Sequence, residues 1–244
     1  MNHFACSYIV YGDSGGGKTT SLGTLDNPYI AYTDINELSL RRLLIHHPNA
    51  DAITVRDWGA LQAARLGISK RMHAHDFPHS AVCLDGLTET EIMLFRGQLG
   101  QSFAGLKDWA PKLIPAWRDE VLAWLEFKDS NVYEVPVDVV FTARVSLEKA
   151  EFDGRMWASI AVPGRKLGTE LFAWCDEIFH IRSEAGYDDN NTPVQRYYLR
   201  TASDDMFRAK DGSGTLEIEE EPDLNAIRDK IDASFNNMTE GEEA

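Results

Sequence analysis

A mixed α/β fold, with a mostly parallel central sheet and helices on both faces, is what the sequence predicts, and three observations carry it. A short apolar strand passes into a glycine-rich loop and then a helix across residues 4–22. Apolar strand-like runs alternate with helical segments through most of the 244 residues, the order a parallel sheet needs because crossover helices join its strands. Several of these runs, such as Ala81-Val82-Cys83-Leu84, are apolar at consecutive positions, as strands buried on both faces are.

The elements follow in order. The strand at 4–11 ends at Gly12-Asp13-Ser14-Gly15-Gly16-Gly17, and Lys18-Thr19-Thr20-Ser21-Leu22 opens the first helix. Asn27-Pro28 stops that helix, and Tyr29-Ile30-Ala31-Tyr32-Thr33 is a second strand, closing at Asp34. A helix over 37–46, a short strand at 53–55 and a helix over 58–66 precede a buried strand at 80–84 that closes on Asp85. Helices over 88–99 and 111–127 lead to strands at 137–142, 177–182 and 195–201. The stretch between Thr142 and Glu177 reads as loop-rich, with a hairpin turn at Asp153-Gly154. Residues 1–215 form the α/β domain, and 216–244 an acidic extension with a short helix at 224–235 and a disordered tail.

The 39 acidic and 24 basic residues give a formal charge of −15, and residues 217–244 hold ten of the acids but two of the bases. That balance argues against wide electrostatic binding of duplex nucleic acid or an anionic membrane and leaves local basic loops open. Hydrophobic residues at 43% suffice for a buried core. Cys6, Cys83 and Cys175 are odd in number and lack CxxC spacing, which points away from a disulfide framework or zinc site. Cys6 and Cys83 are expected as small buried hydrophobes on neighbouring core strands. Without a charged leader or a run of about 18 apolar residues, the expected setting is a reducing cytoplasm, with no membrane partner.

Gly12-Asp13-Ser14-Gly15-Gly16-Gly17-Lys18-Thr19 matches GxxxxGK[ST], the phosphate-binding P-loop, in the strand-to-helix setting that motif requires. Glycines let backbone N–H groups close around a phosphate without Cβ obstruction, and a helix N-terminus adds its positive dipole end. Residues 12–20 (Gly12, Asp13, Ser14, Gly15, Gly16, Gly17, Lys18, Thr19 and Thr20) are therefore the candidate nucleotide contacts, with Lys18 on the outer phosphates and the Thr19 hydroxyl on Mg²⁺. The metal needs a carboxylate as well, and Asp85 at the end of its apolar strand is the candidate. ATP and Mg²⁺ are the cofactors expected. Asp85 is followed by Gly86 rather than a water-activating Glu, and neither Asn-Lys-x-Asp nor Leu-Ser-Gly-Gly-Gln occurs; these absences weigh against AAA+ proteins, GTPases and transporter ATPases.

Further segments come in a telling order: Val82-Cys83-Leu84-Asp85-Gly86-Leu87-Thr88-Glu89, Val139-Val140-Phe141-Thr142-Ala143-Arg144, Val162-Pro163-Gly164-Arg165-Lys166, Phe172-Ala173-Trp174-Cys175-Asp176-Glu177-Ile178, Arg200-Thr201 and Phe207-Arg208-Ala209-Lys210-Asp211. With the P-loop, over about residues 4–212, they resemble the RecA-core ATPases of bacteriophages, which include phage single-strand annealing proteins and related nucleotide-binding proteins. The resemblance implies a RecA-like ATPase acting in DNA recombination, single-strand annealing or replication inside a bacterial host, assembled as a homo-oligomer with nucleotide at subunit interfaces. It implies a catalytic carboxylate at the end of the second strand; the family's Asp-x-Glu would place it at Asn36, so Asp34 or Glu37 would polarise the water. Thr142 or Arg144 would sense the γ-phosphate, and Lys210, with Arg208, would be a cation reaching a neighbour's nucleotide.

Single-stranded DNA would be bound by an acidic protein through a limited basic loop with aromatic platforms. Arg155, Trp157, Arg165 and Lys166, with Arg144, Lys149 and Phe152, fall in one such stretch, and Lys107-Asp108-Trp109, Lys112 and Trp117-Arg118 form a second. His73, His75 and His79 read as solvated loop histidines rather than a metal site, and Trp117 with Trp124 as helix core. Two other functions stand beside the ATPase: a P-loop kinase of a small acceptor, and a nucleotide-switched assembly protein that hydrolyses slowly.

Overall fold

A computed structural model describes residues 4–99, 106–149, 156–162, 165–188 and 190–242, with the backbone alone for 98–99, 106–112, 165–166 and 238–242. The chain runs β1 (Ser7–Gly12), α1 (Lys18–Leu22), β2 (Pro28–Tyr32), α2 (Leu38–His46), β3 (Asp51–Thr54), α3 (Trp58–His73), β4 (Ala81–Asp85), α4 (Leu87–Leu99) and α5 (Leu106–Leu125). It continues through β5 (Asp138–Lys149), β6 (Met156–Ile160), α6 (Arg165–Trp174), β7 (Glu177–Tyr187), β8 (Pro193–Arg200), β9 (Glu219–Glu220) and α7 (Leu224–Glu242). The result is a mixed α/β architecture around a nine-stranded sheet of order β3-β2-β4-β5-β1-β7-β8-β9, with β6 paired to β5. Strands β1 to β5 and β7 run parallel along the main sheet, while β6, β8 and β9 pair antiparallel.

Register places the core. Ala31, Leu84, Phe141, Ile9 and Ile178 stand opposite one another across five strands, and all pack with α3, α4, α5 and α6 on one face. One residue earlier, Ile30, Cys83, Val140 and Tyr8 form a row on the other face, against Leu22 of α1, Leu40 and Leu43 of α2 and Leu224, Ile227 and Ile231 of α7. This period of two, with apolar residues at both phases, is why the strand sequences are continuously hydrophobic. Burying a side chain such as Ile9 or Phe141 stabilises the fold by about 1.5–3 kcal/mol.

Several elements differ from the sequence expectation. α3 continues past Leu66 to His73 through Gly67, capped at its start by Asp57 Oδ1, which accepts from Ala60 N at 2.8 Å, and carrying Lys70, Arg71 and His73 in its last turn. The stretch expected to be loop-rich holds the second half of β5, β6 and α6, while the turn at Asp153-Gly154 lies outside the described residues. β5 separates β1 from β4, so Cys6 and Cys83 are not on neighbouring strands, and Cys6 precedes β1. α7 runs beyond Phe235 to Glu242, and its Leu224, Ile227 and Ile231 pack on the same core as Tyr8 and Val10 of β1. Among the described residues no helix is long and apolar enough to cross a membrane.

Carboxylates pin the N-terminal edge of the sheet. Ser7 N and Oγ donate to Asp176 Oδ2 at 2.7 and 2.8 Å, and Lys128 Nζ donates to the same oxygen. Cys6 N donates to Asp138 Oδ1 at 2.8 Å, and Arg228 lies 3.3 Å from Asp138 Oδ2. Burial works to raise the Asp176 pKa, but the bonds from Lys128 and Ser7 outweigh it and hold the carboxyl below its ordinary value. A carboxyl depressed by folding contributes stability that is complete above its unfolded pKa and lost as pH falls through the folded one. Asp176→Ala is therefore expected to lower unfolding stability in urea by about 1–2 kcal/mol at pH 7, with the gap to wild type narrowing below about pH 4.

Candidate functional site

At the C-terminal edge of the parallel strands lies a cavity of about 480 Å³, lined in part by Ser14, Gly15, Gly17, Lys18, Thr19 and Thr20. It occupies the crevice where the chain leaves β1 toward one face of the sheet and β4 toward the other, the position at which open α/β sheets bind ligands. The loop before α1 turns through left-handed glycines, Gly15 at φ 78° and Gly17 at φ 95°, and Gly16 N closes it by donating to Asp13 O at 3.1 Å. A Cβ on Gly12 would lie 2.5 Å from Ile181 O, so only glycine lets β1 run this close to β7. Gly17 caps α1 without a side-chain hydrogen bond, and helix geometry leaves the first N–H groups without intrahelical acceptors. Lys18 Nζ folds back over the loop, donating to Gly12 O at 2.9 Å and Asp13 O at 2.7 Å. Burial lowers its pKa, against the pull of Asp85 and Glu89.

Asp85 and Thr142 face each other because β4 and β5 pair in that register. Thr142 Oγ1 donates to Asp85 Oδ1 and accepts from Gly86 N at 2.9 Å, while Thr33 Oγ1 reaches Asp85 O and Gly86 O, both at 2.9 Å. Asp85 is 4% exposed, and Oδ2 is buried without a hydrogen bond of good geometry among the described residues. Burial raises its pKa, opposed by the hydroxyls of Thr142 and Thr19 and by Lys18. A buried carboxylate in that state is stabilised by a cation.

Beside Asp85, the cavity also takes in Asp34, Glu89 and Arg144. Glu89 is the third residue of α4; its N–H donates to Gly86 O at 2.9 Å, and its carboxyl meets the Arg144 guanidinium. Arg144 also lies 3.9 Å from Asp34 Oδ2. Burial raises the Glu89 pKa, and Arg144 opposes that rise. The sequence reading gave Glu89 no role; its signal was the four-residue step from Asp85 into a helix, which sets its carboxyl over the end of β4. Asp34 Oδ1 accepts from Asn36 N at 3.1 Å, in a turn that also uses Asn36 Oδ1 as acceptor from Leu38 N at 3.2 Å. Glu37 does not line the cavity: it is held on the surface by Arg56 and Arg41, whose bonds keep its pKa low.

Other sequence candidates are used for packing. Lys210 is not an outreaching cation, because Nζ donates to Phe172 O at 3.1 Å and Cys175 O at 2.7 Å at the end of α6. Arg208 lies over the Trp157 and Phe172 rings, 4.8 and 4.7 Å from their centroids, and so already occupies a face of the half-buried Trp157. Arg155, like Phe152, lies outside the described residues, as do the side chains of Arg165 and Lys166 in the first turn of α6. In the second basic stretch Trp117 is buried, donating to Thr90 Oγ1 at 2.9 Å, Arg118 binds Glu170, and the Lys107, Trp109 and Lys112 side chains lie outside the description. The three histidines diverge: His73 stacks on Tyr133, His75 faces Glu134 and His79 bonds Asn27.

Among the described residues no group of three or more His, Cys, Asp or Glu is arranged to hold a metal ion. Asp85 with the Thr19 hydroxyl could supply two oxygen ligands, the number Mg²⁺ takes when phosphates and waters complete its shell. No protein-family model matches the chain, and no curated protein matches it in sequence.

Gly86 sits at φ 107°, and a Cβ there would lie 2.2 Å from Thr33 Oγ1. Gly86→Ala is thus expected to destabilise the fold by about 1–3 kcal/mol, visible as an earlier urea midpoint; an unchanged midpoint would mean that Thr33 does not clasp the end of β4.

Proposed function

We propose that the protein is a Mg²⁺-dependent P-loop ATPase with a RecA-like core. The observation that carries this reading is the convergence, in one cavity, of the left-handed glycine loop, Lys18, the Thr19 hydroxyl and a buried Asp85 carboxyl with an oxygen left over. A triphosphate suits that arrangement: backbone amides and Lys18 would meet its negative charge, and Asp85 with the Thr19 hydroxyl would hold a divalent cation, which would supply positive charge against the phosphates. The insertion of β5 between the loop strand and the Asp85 strand supports the same reading, since it sets the Thr142 hydroxyl and Arg144 on the side of Asp85 that faces the loop.

The chain's residues divide the work. Lys18, now bonded to two loop carbonyls, turns to the phosphates; Thr142 holds the Asp85 carboxyl in place; Asp34 and Glu89 are the carboxylates available to orient water. A role in DNA recombination or annealing, a phage source, a bacterial cytoplasm and an oligomer with nucleotide between subunits extend this reading through the sequence resemblance alone. Slow, switch-like hydrolysis is favoured as a second reading by the ion pair that already occupies Glu89.

Binding of a fluorescent ATP analogue with Mg²⁺ tests the proposal. Lys18→Ala is expected to weaken binding about 10- to 100-fold by removing a charge-assisted contact, and Asp85→Asn to shift the Mg²⁺ titration to higher concentration. Equal affinities for wild type and Lys18→Ala would exclude the loop as the nucleotide site. Adding single-stranded DNA to a hydrolysis assay at two salt concentrations separates the readings: stimulation that weakens with salt supports the DNA role, and indifference to DNA favours the switch.

A further inference from the structure

Within the proposed ATPase, on which this inference rests, we infer that Glu89 is the carboxylate that takes the proton from the attacking water, and that Arg144 masks it until a terminal phosphoryl group draws the guanidinium away. Three carboxylates near the end of β2 and β4 compete for the role, and the geometry separates them. Glu37 lies outside the cavity between two arginines. Asp34 spends one oxygen on the turn into α2, and its side chain is 42% exposed. Glu89 has a side chain 11% exposed, faces the cavity and makes its contact with Arg144. Its Oε2 would stand 2.9 Å from a Cβ on Gly86, directly over the residue after Asp85.

Arg144 is built to change partners. Its backbone is fixed: N donates to Thr88 Oγ1 at 3.0 Å, O accepts from Ala161 N at 2.8 Å, and the residue pairs with Gly12 across β5 and β1. Its side chain is 51% exposed and lies between Glu89 and Asp34. From a backbone position opposite the first residue of the phosphate loop, the guanidinium can exchange a carboxylate for a phosphoryl group, whose oxygens match its bidentate donors. Once it does, Glu89 loses its counter-charge and can accept a proton. The water oxygen then bonds to the terminal phosphorus and a water proton passes to the Glu89 carboxylate. The bond from phosphorus to the bridging oxygen breaks with its electron pair left on the nucleoside diphosphate, releasing inorganic phosphate.

The exchange makes a prediction about binding that a purely structural Glu89 would not. Affinities for a non-hydrolysable triphosphate analogue and for the diphosphate are measured on wild type, Glu89→Gln, Arg144→Ala and the double variant, with melting curves on each, alongside ATP turnover. Glu89→Gln frees Arg144, so it is expected to bind the triphosphate analogue about fivefold tighter with diphosphate affinity unchanged, while turnover falls about a hundredfold or more. Arg144→Ala should bring the two affinities together, and on that background Glu89→Gln should no longer tighten the analogue. Wild-type turnover in Glu89→Gln, with turnover lost in Asp34→Asn, would overturn the assignment of Glu89. Unchanged analogue affinity in Glu89→Gln would overturn the masking by Arg144; if Glu89→Gln fails to melt cooperatively, an unchanged triphosphate-to-diphosphate ratio in Arg144→Ala does the same. A wild-type protein that binds neither nucleotide would instead overturn the ATPase reading beneath both.

Discussion

The register of β4 against β5 is the constraint on which the cavity depends. It sets Asp85 beside Thr142, and the single hydroxyl of Thr142 then serves twice, donating to the carboxyl and accepting from Gly86 N. Removing a carboxylate from water costs several kcal/mol unless partners replace the solvent. Here Thr142, Thr19 and Lys18 replace part of it, and Oδ2 is left without a well-formed hydrogen bond among the described residues. With Thr33 clasping Asp85 O and Gly86 O, the ends of β2, β4 and β5 behave as one hydrogen-bonded unit. A slip of one residue would turn Asp85 and Thr142 to opposite faces and empty the site.

β5 does two jobs, and their boundary falls at the cavity. Up to Ala143 it is a buried parallel strand between β4 and β1; from Val145 it is half of an antiparallel pair with β6. Arg144 occupies the change of direction, stapled through its backbone to Thr88 and Ala161. That staple joins the start of α4, which carries Glu89, to the strand that carries Thr142. The acid, the hydroxyl and the guanidinium are thus held by neighbouring backbone, with freedom left to the arginine side chain.

Several cations elsewhere among the described residues are spent on structure. Lys210 caps α6, Arg208 covers Trp157 and Phe172, Arg118 pairs with Glu170, and Lys128 binds the carboxyl that anchors Ser7. In a chain of net charge −15, each such engagement reduces the positive surface available to a polyanion. The cations that line the cavity are Lys18, Arg42 and Arg144. Asp34, Asp85 and Glu89 line the same cavity, so cations and carboxylates face one another there.

The glycine loop, the buried strands and the candidate Asp85 were legible in the sequence because each depends on local chemistry: left-handed turns that favour glycine, apolar runs of strand length, a carboxylate at a strand end. Gly67 and Gly168 hid parts of α3 and α6 from a local reading, since a glycine weakens a helix that tertiary packing of Ile68, Met72, Leu167 and Leu171 nevertheless holds. The second half of β5 was marked by the alternation Val145, Ser146, Leu147, Glu148, yet its partner β6 had to be in place for it to be a strand. Glu37 stood out in the sequence because it follows the second strand, whereas Glu89 faces the cavity because α4 begins directly after Asp85; their ion pairs, with Arg56 and with Arg144 of β5, come from residues distant in the chain. Sequence by itself determined the loop and the strands, because φ preference and burial are properties of short segments. Tertiary structure alone decided which charges meet, because ion pairs form between residues that the chain brings together only after the strands have found their order.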